Sequence, residues 1–136
     1  QVKSCTYLGV FLDEKMSWKV LVEKVCERIR PIICIFSDFI PDNLFKTLCY
    51  SLIHSHNIIM YCIESWGSTY TTVIEPVFIL QKKIVRIISG VPRLAHTEPL
   101  FKKLNILPVR KLYFFHVCQL VYKELNNISY TAVHFF

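Results

Sequence analysis

Between Trp18 and Ile29 the apolar residues Trp18, Leu21, Val22, Val25, Cys26 and Ile29 are spaced 3, 1, 3, 1 and 3 apart. That rhythm follows the turn of an α-helix and fits no strand. Lys19, Glu23, Lys24, Glu27, Arg28 and Arg30 take the other face, so the segment reads as an amphipathic helix with Ser17 as its N-cap. The period returns at Val77, Leu80, Ile84, Ile87 and Ile88. A chain written this way is bound to pack helices on helices.

The rest of the chain is read from its punctuation. Ser4 to Leu12, aromatic and β-branched with Gly9 inside, reads as one strand, bulged or closely approached at the glycine. Asp13-Glu14-Lys15 makes a turn. Pro31 breaks or kinks the first helix. Pro41-Asp42 opens a second helix, running to about His56 or Asn57. Residues 58–66 either extend it or turn extended, and Gly67, Ser68, Thr69, Thr71 and Thr72 form a loop. Pro76 marks the first turn of a third helix, which Ser89-Gly90 ends. Thr97 caps a short helix from Pro99 to Leu104, and Pro108 to Leu125 is a fifth. This last helix is apolar over most of its circumference (Leu112, Tyr113, Phe114, Phe115, Val117, Leu120, Val121), so it expects neighbours on several sides, and its aromatic run reads as core packing rather than base stacking. The predicted fold is mainly α: a short N-terminal β-strand followed by a bundle of about five helices.

Composition adds a tension. Apolar residues are 53% of 136 and charged residues only 19%, yet the net charge is +6. The chain is either membrane-bound or packed on something else. The longest uncharged stretch, Thr47 to Ile63, contains Thr47, Ser51, His54, Ser55, His56 and Asn57. A spanning helix needs about 20 mostly apolar residues, so this stretch reads as a buried helix, with a small membrane protein as the rival. The N-terminus has no Met start, which predicts an excerpt or an incomplete gene model, and no basic head before an apolar core, which predicts no signal peptide. The six cysteines include no Cys-x-x-Cys pair and read as free thiols acting as small hydrophobes in a reducing, intracellular (nuclear or cytoplasmic) compartment. His54 and His56 lie on different sides of a helix, and no Cys or His cluster has zinc spacing, so no metal site is predicted.

The charge is concentrated. Residues 76–111 hold eight basic residues, Lys82, Lys83, Arg86, Arg93, Lys102, Lys103, Arg110 and Lys111, against one acid, Glu98. The remainder is nearly neutral, with eight basic and nine acidic residues. A basic helix and loop of this kind is either the electrostatic footprint of a polyanion site or the solvated face of a structural helix. No catalytic residue is assigned: carboxylates are scattered, and Gly-rich phosphate loops, Gly-x-Ser-x-Gly and His-Glu-x-x-His are absent.

Four blocks, in order, resemble non-LTR (LINE-type, jockey-like) retrotransposon reverse transcriptases. They are Tyr7-Leu8-Gly9-Val10-Phe11-Leu12-Asp13 with Met16-Ser17-Trp18; Tyr50-Ser51-Leu52-Ile53-His54-Ser55-His56 with Tyr61 and Trp66-Gly67; Leu80-Gln81-Lys82-Lys83-Ile84-Val85-Arg86-Ile87-Ile88; and His96-Thr97-Glu98-Pro99-Leu100-Phe101 with Leu104, Ile106-Leu107-Pro108. The resemblance covers residues 6–123. It implies that residues 1–15 close the polymerase palm, with Tyr7, Leu8 and Gly9 near a primer grip, and that residues 16–136 form the thumb and a helical extension. It further implies an RNA-directed DNA polymerase whose metal-binding aspartates, and the magnesium they hold, lie in an upstream palm outside this chain. The chain alone would then be inactive, with no cofactor of its own, and its partners would be the RNA and DNA of a template–primer duplex and the upstream polymerase domain. The eight basic residues above are the expected phosphate contacts. Rival readings are a stand-alone helical nucleic-acid- or protein-binding module derived from a mobile element, and the membrane protein already named.

Overall fold

The computed structural model describes residues 4–39 and 59–126, with Leu44, Thr47 and Ser51. The expected second helix and most of the uncharged stretch from Thr47 to Ile63 lie outside the described residues, as does Cys49. The fold is mainly α, as the periodicity predicts: among the described residues, a short antiparallel pair of strands is followed by five helices.

The N-terminal segment is a hairpin rather than one strand. β1 (Ser4–Tyr7) pairs with β2 (Val10–Asp13), with Tyr7 opposite Val10 and Ser4 opposite Asp13. The chain reverses at Leu8 (φ 48°) and Gly9 (φ 79°), the two positive φ values that a tight two-residue hairpin needs. Glycine adopts this freely, whereas Leu8 does so at a cost. The Tyr61 hydroxyl donates to the Leu8 carbonyl and helps to hold the turn.

Asp13 governs the corner into the first helix. Its carboxylate accepts from the Ser17 N–H (2.9 Å), the Ser17 hydroxyl (2.8 Å) and the Trp18 N–H (3.2 Å). These bonds hold Met16 and Trp18 in left-handed backbone, φ 49° and 61°. Ser17 therefore does not cap the helix as expected; its hydroxyl is committed to Asp13, and α1 (Lys19–Phe39) begins two residues later. The Ser17 hydroxyl in turn draws the Asp13 carboxyl below its ordinary pKa, helped by the two backbone donors.

α1 runs through Pro31 without interruption, against expectation. Proline removes one N–H and crowds the carbonyl four residues back, here that of Glu27. Both residues are exposed, so water can satisfy that carbonyl. The same reasoning covers Pro76. The helix expected to start there, α3 (Thr71–Ile88), begins a turn and a half earlier, and the carbonyl Pro76 leaves unpaired belongs to exposed Thr72. Between them α2 is a single turn, Ile63–Trp66.

α1 and α3 bury their stripes against each other. Leu21, Val22, Val25, Cys26, Ile29 and Ile33 meet Val73, Ile74, Val77 and Ile84, with Ile59, Ile63 and Trp66 closing the core. The Trp66 indole N–H donates to the Tyr61 carbonyl at 2.9 Å, which satisfies its polar atom inside the core. Burial raises the Cys26 thiol pKa, and Cys26 is the small hydrophobe the sequence predicts; Cys5, Cys34 and Cys118 are exposed instead.

α3 ends as expected. Gly90 (φ 61°) donates to the Ile87 carbonyl and Val91 to that of Arg86, both in Schellman geometry. α4 (Glu98–Lys103) ends the same way without a glycine. Asn105 (φ 54°) donates to Lys102, Ile106 donates to Phe101, and Phe101 and Ile106 share a second small core with Val85. α5 (Val109–Leu125) follows. Among the described residues no helix is long and apolar enough to cross a membrane.

Candidate nucleic-acid interface

The eight basic residues lie on α3, α4, α5 and the loops between, and buried Gln81 fixes how these parts meet. Its Oε1 accepts the Val109 N–H at 2.8 Å, at the first turn of α5, and its Nε2 reaches the Leu107 carbonyl at 3.4 Å. A glutamine amide thus satisfies a helix-start donor that would otherwise be buried unpaired. Lys82 and Lys83, beside it in sequence, diverge on the outer side of α3.

Lys82 leans back along α3. Its ammonium lies 4.1 Å from the centre of the Phe78 ring and 3.7 Å from Glu75. Glu75 is one residue outside the basic segment, seven residues and two turns before Lys82, so helical spacing alone was enough to find this neutralising partner. Lys102 pairs with Glu98 at 3.6 Å, an exposed contact of little energetic weight.

Lys83 turns the other way. With Arg86, Arg93, Ile79, Ile87 and Val91 it lines a groove of about 390 Å³. Three of the expected phosphate contacts converge here, and among the described residues no acidic side chain lines the groove. Arg86 also braces the backbone: its Nε donates to the Ala95 carbonyl at 2.9 Å, which pins the loop that carries Arg93. Nothing in the sequence signals that contact. Lys102, Arg110 and Lys111 gather elsewhere, around a groove of about 520 Å³ that also carries Glu98, Phe78 and Phe101. Lys103 is exposed on α4. A third groove, about 600 Å³ between α1 and α3, sets Lys19 and Arg30 against Glu23 and Glu27 and so has no net charge to offer an anion.

The expected primer-grip residues Tyr7, Leu8 and Gly9 sit together at the exposed hairpin tip, away from the basic segment in sequence and joined to the core through Tyr61. The aromatic run of α5 departs from expectation. Phe114 is 64% exposed and Phe115 47%, and only Val109 and Leu112 of this helix are buried. Among the described residues α2 and α3 cover only part of this helix, and the rest of its apolar surface faces outward.

Among the described residues no three His, Cys, Asp or Glu side chains gather as a metal site would require. No protein-family model matches the chain, and neither a curated protein nor a solved structure matches it.

Proposed function

We propose that this chain is the palm edge and thumb of a non-LTR retrotransposon RNA-directed DNA polymerase, and that it holds the template–primer duplex through phosphate contacts. The observation that carries this reading is the convergence of Lys83, Arg86 and Arg93 on one groove whose described lining includes no acid. A solvated structural face would distribute such charges among carboxylates, as happens at Lys82 and Lys102. The four sequence blocks, in their order, supply the family.

In this reading the mechanism is positional. Cations on a rigid helix and its pinned loop meet phosphates along the backbone, fixing register without reading bases. Gln81 and Arg86 keep α3, the following loop and the start of α5 in one arrangement, so the contacts are preset. Nucleotide addition belongs to the upstream palm and its magnesium.

A second reading has its own observation. Cys118, Val121, Tyr122 and Leu125 form one exposed apolar stripe on α5, at spacings of 3, 1 and 3. Such a stripe suits a protein neighbour. In the polymerase reading that neighbour is the upstream domain; in a stand-alone module it is another protein.

The test is fluorescence anisotropy with a labelled RNA–DNA hybrid at several salt concentrations. The expected result is binding that weakens log-linearly with salt. Binding indifferent to salt, or no binding at low salt, overturns the proposal.

A further inference from the structure

Beside α2 and at the start of α3 and α5 lies a groove of about 310 Å³ with an unusual lining: the turn from Gly67 to Thr71 on one side, and Arg110, Tyr113 and Phe114 on the other. Its volume is at the lower end of ligand sites, which run from about 300 to 1,000 Å³. The groove is built rather than incidental. A Cβ on Gly67 would stand 2.6 Å from the Tyr113 ring and 2.6 Å from the Ile63 carbonyl, so only glycine lets α5 lie this close. The Glu64 carboxylate and His116 Nδ1, 3.1 Å apart, tie α2 to α5 just behind it.

The groove presents three rings. Tyr113 is half-buried over Gly67, and the Phe114 ring is 5.3 Å from it, tilted by 59°. Phe114 and Tyr70 are far more exposed than packing calls for, at 64% and 81%. Arg110 is the one charged residue in the described lining, and it makes no ion pair among the described residues. Open aromatic faces beside one free guanidinium match a nucleotide: a planar base with a phosphate attached. A protein partner would pair a carboxylate with Arg110 and pack apolar bulk on the rings, a contact that leucine in place of Phe114 preserves and a stacked base does not.

We propose that this groove takes an unpaired nucleotide of a single-stranded stretch next to the duplex, its base against Phe114 and Tyr70 and its phosphate at Arg110. This inference rests on the chain being a nucleic-acid binder, and it adds a second ligand form, single-stranded, at a place distinct from the Lys83–Arg93 groove.

The experiment compares three probes by anisotropy on the full chain: a blunt RNA–DNA hybrid, the same hybrid with a short single-stranded overhang carrying 2-aminopurine, and a single-stranded oligonucleotide. The overhang is expected to tighten binding by roughly 10-fold, in line with one stacked base, and to quench the 2-aminopurine. Phe114→Ala and Tyr70→Ala, both at exposed positions, remove that gain and the quenching while leaving blunt-hybrid affinity and its salt slope unchanged. Phe114→Leu, which keeps apolar bulk, behaves like Phe114→Ala if a base is stacked. If the blunt hybrid binds but the overhang adds nothing, the groove proposal fails and the duplex reading stands. If the single strand binds through Phe114 while the blunt hybrid does not bind, the duplex reading fails and the groove proposal stands. If Phe114→Leu retains the full gain, the contact is apolar packing and the stacking proposal is overturned.

Discussion

Replacing Gln81 with leucine isolates the interaction that holds the basic helix to its neighbours. The side chain is fully buried, and its Oε1 accepts the Val109 N–H at 2.8 Å. Gln81→Leu keeps the volume and removes both polar atoms. The Leu107 carbonyl loses only a long contact, 3.4 Å, on a residue that is 38% exposed, so water can replace it. The Val109 N–H has no such recourse, because Val109 is fully buried. A buried donor left without a partner costs about 1–3 kcal/mol. Taking about 2 kcal/mol, and roughly 4 °C per kcal/mol for a domain of this size, the melting temperature should fall by roughly 8 °C. Urea unfolding followed by tryptophan fluorescence and far-UV circular dichroism reads the free energy directly. Gln81→Glu is the companion variant. It keeps an acceptor for Val109, but a buried carboxyl has its pKa raised, so its stability is retained at low pH and lost as pH rises above the ordinary glutamate value, ~4.3. A Gln81→Leu protein within about 0.5 kcal/mol of the parent, the range of inert surface changes, would refute the capping role.

Two further perturbations probe the scaffold. Gly67→Ala forces a methyl group to 2.6 Å from the Ile63 carbonyl and from the Tyr113 ring, and should cost about 1–3 kcal/mol in the same urea assay, with Tyr113→Ala recovering part of the loss; an unchanged midpoint would show that α5 does not lie against this turn. Asp13 has a lowered folded pKa, so its contribution is full above the ordinary aspartate value, ~3.9, and is lost as pH falls through the folded one. Asp13→Ala should therefore flatten the acid limb of the stability profile measured from pH ~5 downward, and an unaltered limb would count against the corner bonds.

What the sequence revealed and what it withheld follow from the range of the interactions. The stripe from Leu21 to Ile29 and the Gly90 stop are local, and both appear where their spacing puts them. The proline positions mislead because the cost of an internal proline depends on whether the carbonyl it strands meets water, and exposure is a tertiary property. Gly9 stands out in the sequence, but the other turn residue, Leu8, resists a positive φ, and the Tyr61 hydroxyl that holds its carbonyl is more than fifty residues away, so the hairpin is hidden there. For the candidate site, the eight cations are visible as a cluster along the chain. Their sorting is legible only in part: helical spacing reaches Glu75 beside Lys82, but that the Ala95 carbonyl takes Arg86 and that Phe114 faces outward depend on how the elements pack.

The Lys83–Arg93 groove, rather than the basic segment at large, should make the phosphate contacts. The direct measurement compares salt slopes for RNA–DNA hybrid binding by three proteins: the parent, Lys83→Ala with Arg93→Ala, and Lys82→Ala with Lys102→Ala. At about 0.9 per phosphate contact, the first pair should lower the slope by roughly 1.8. The second pair removes charges already shared with Glu75 and Glu98 and should lower it by clearly less. Equal reductions for the two pairs, or no reduction for the first, would contradict the assignment of the phosphate contacts to this groove.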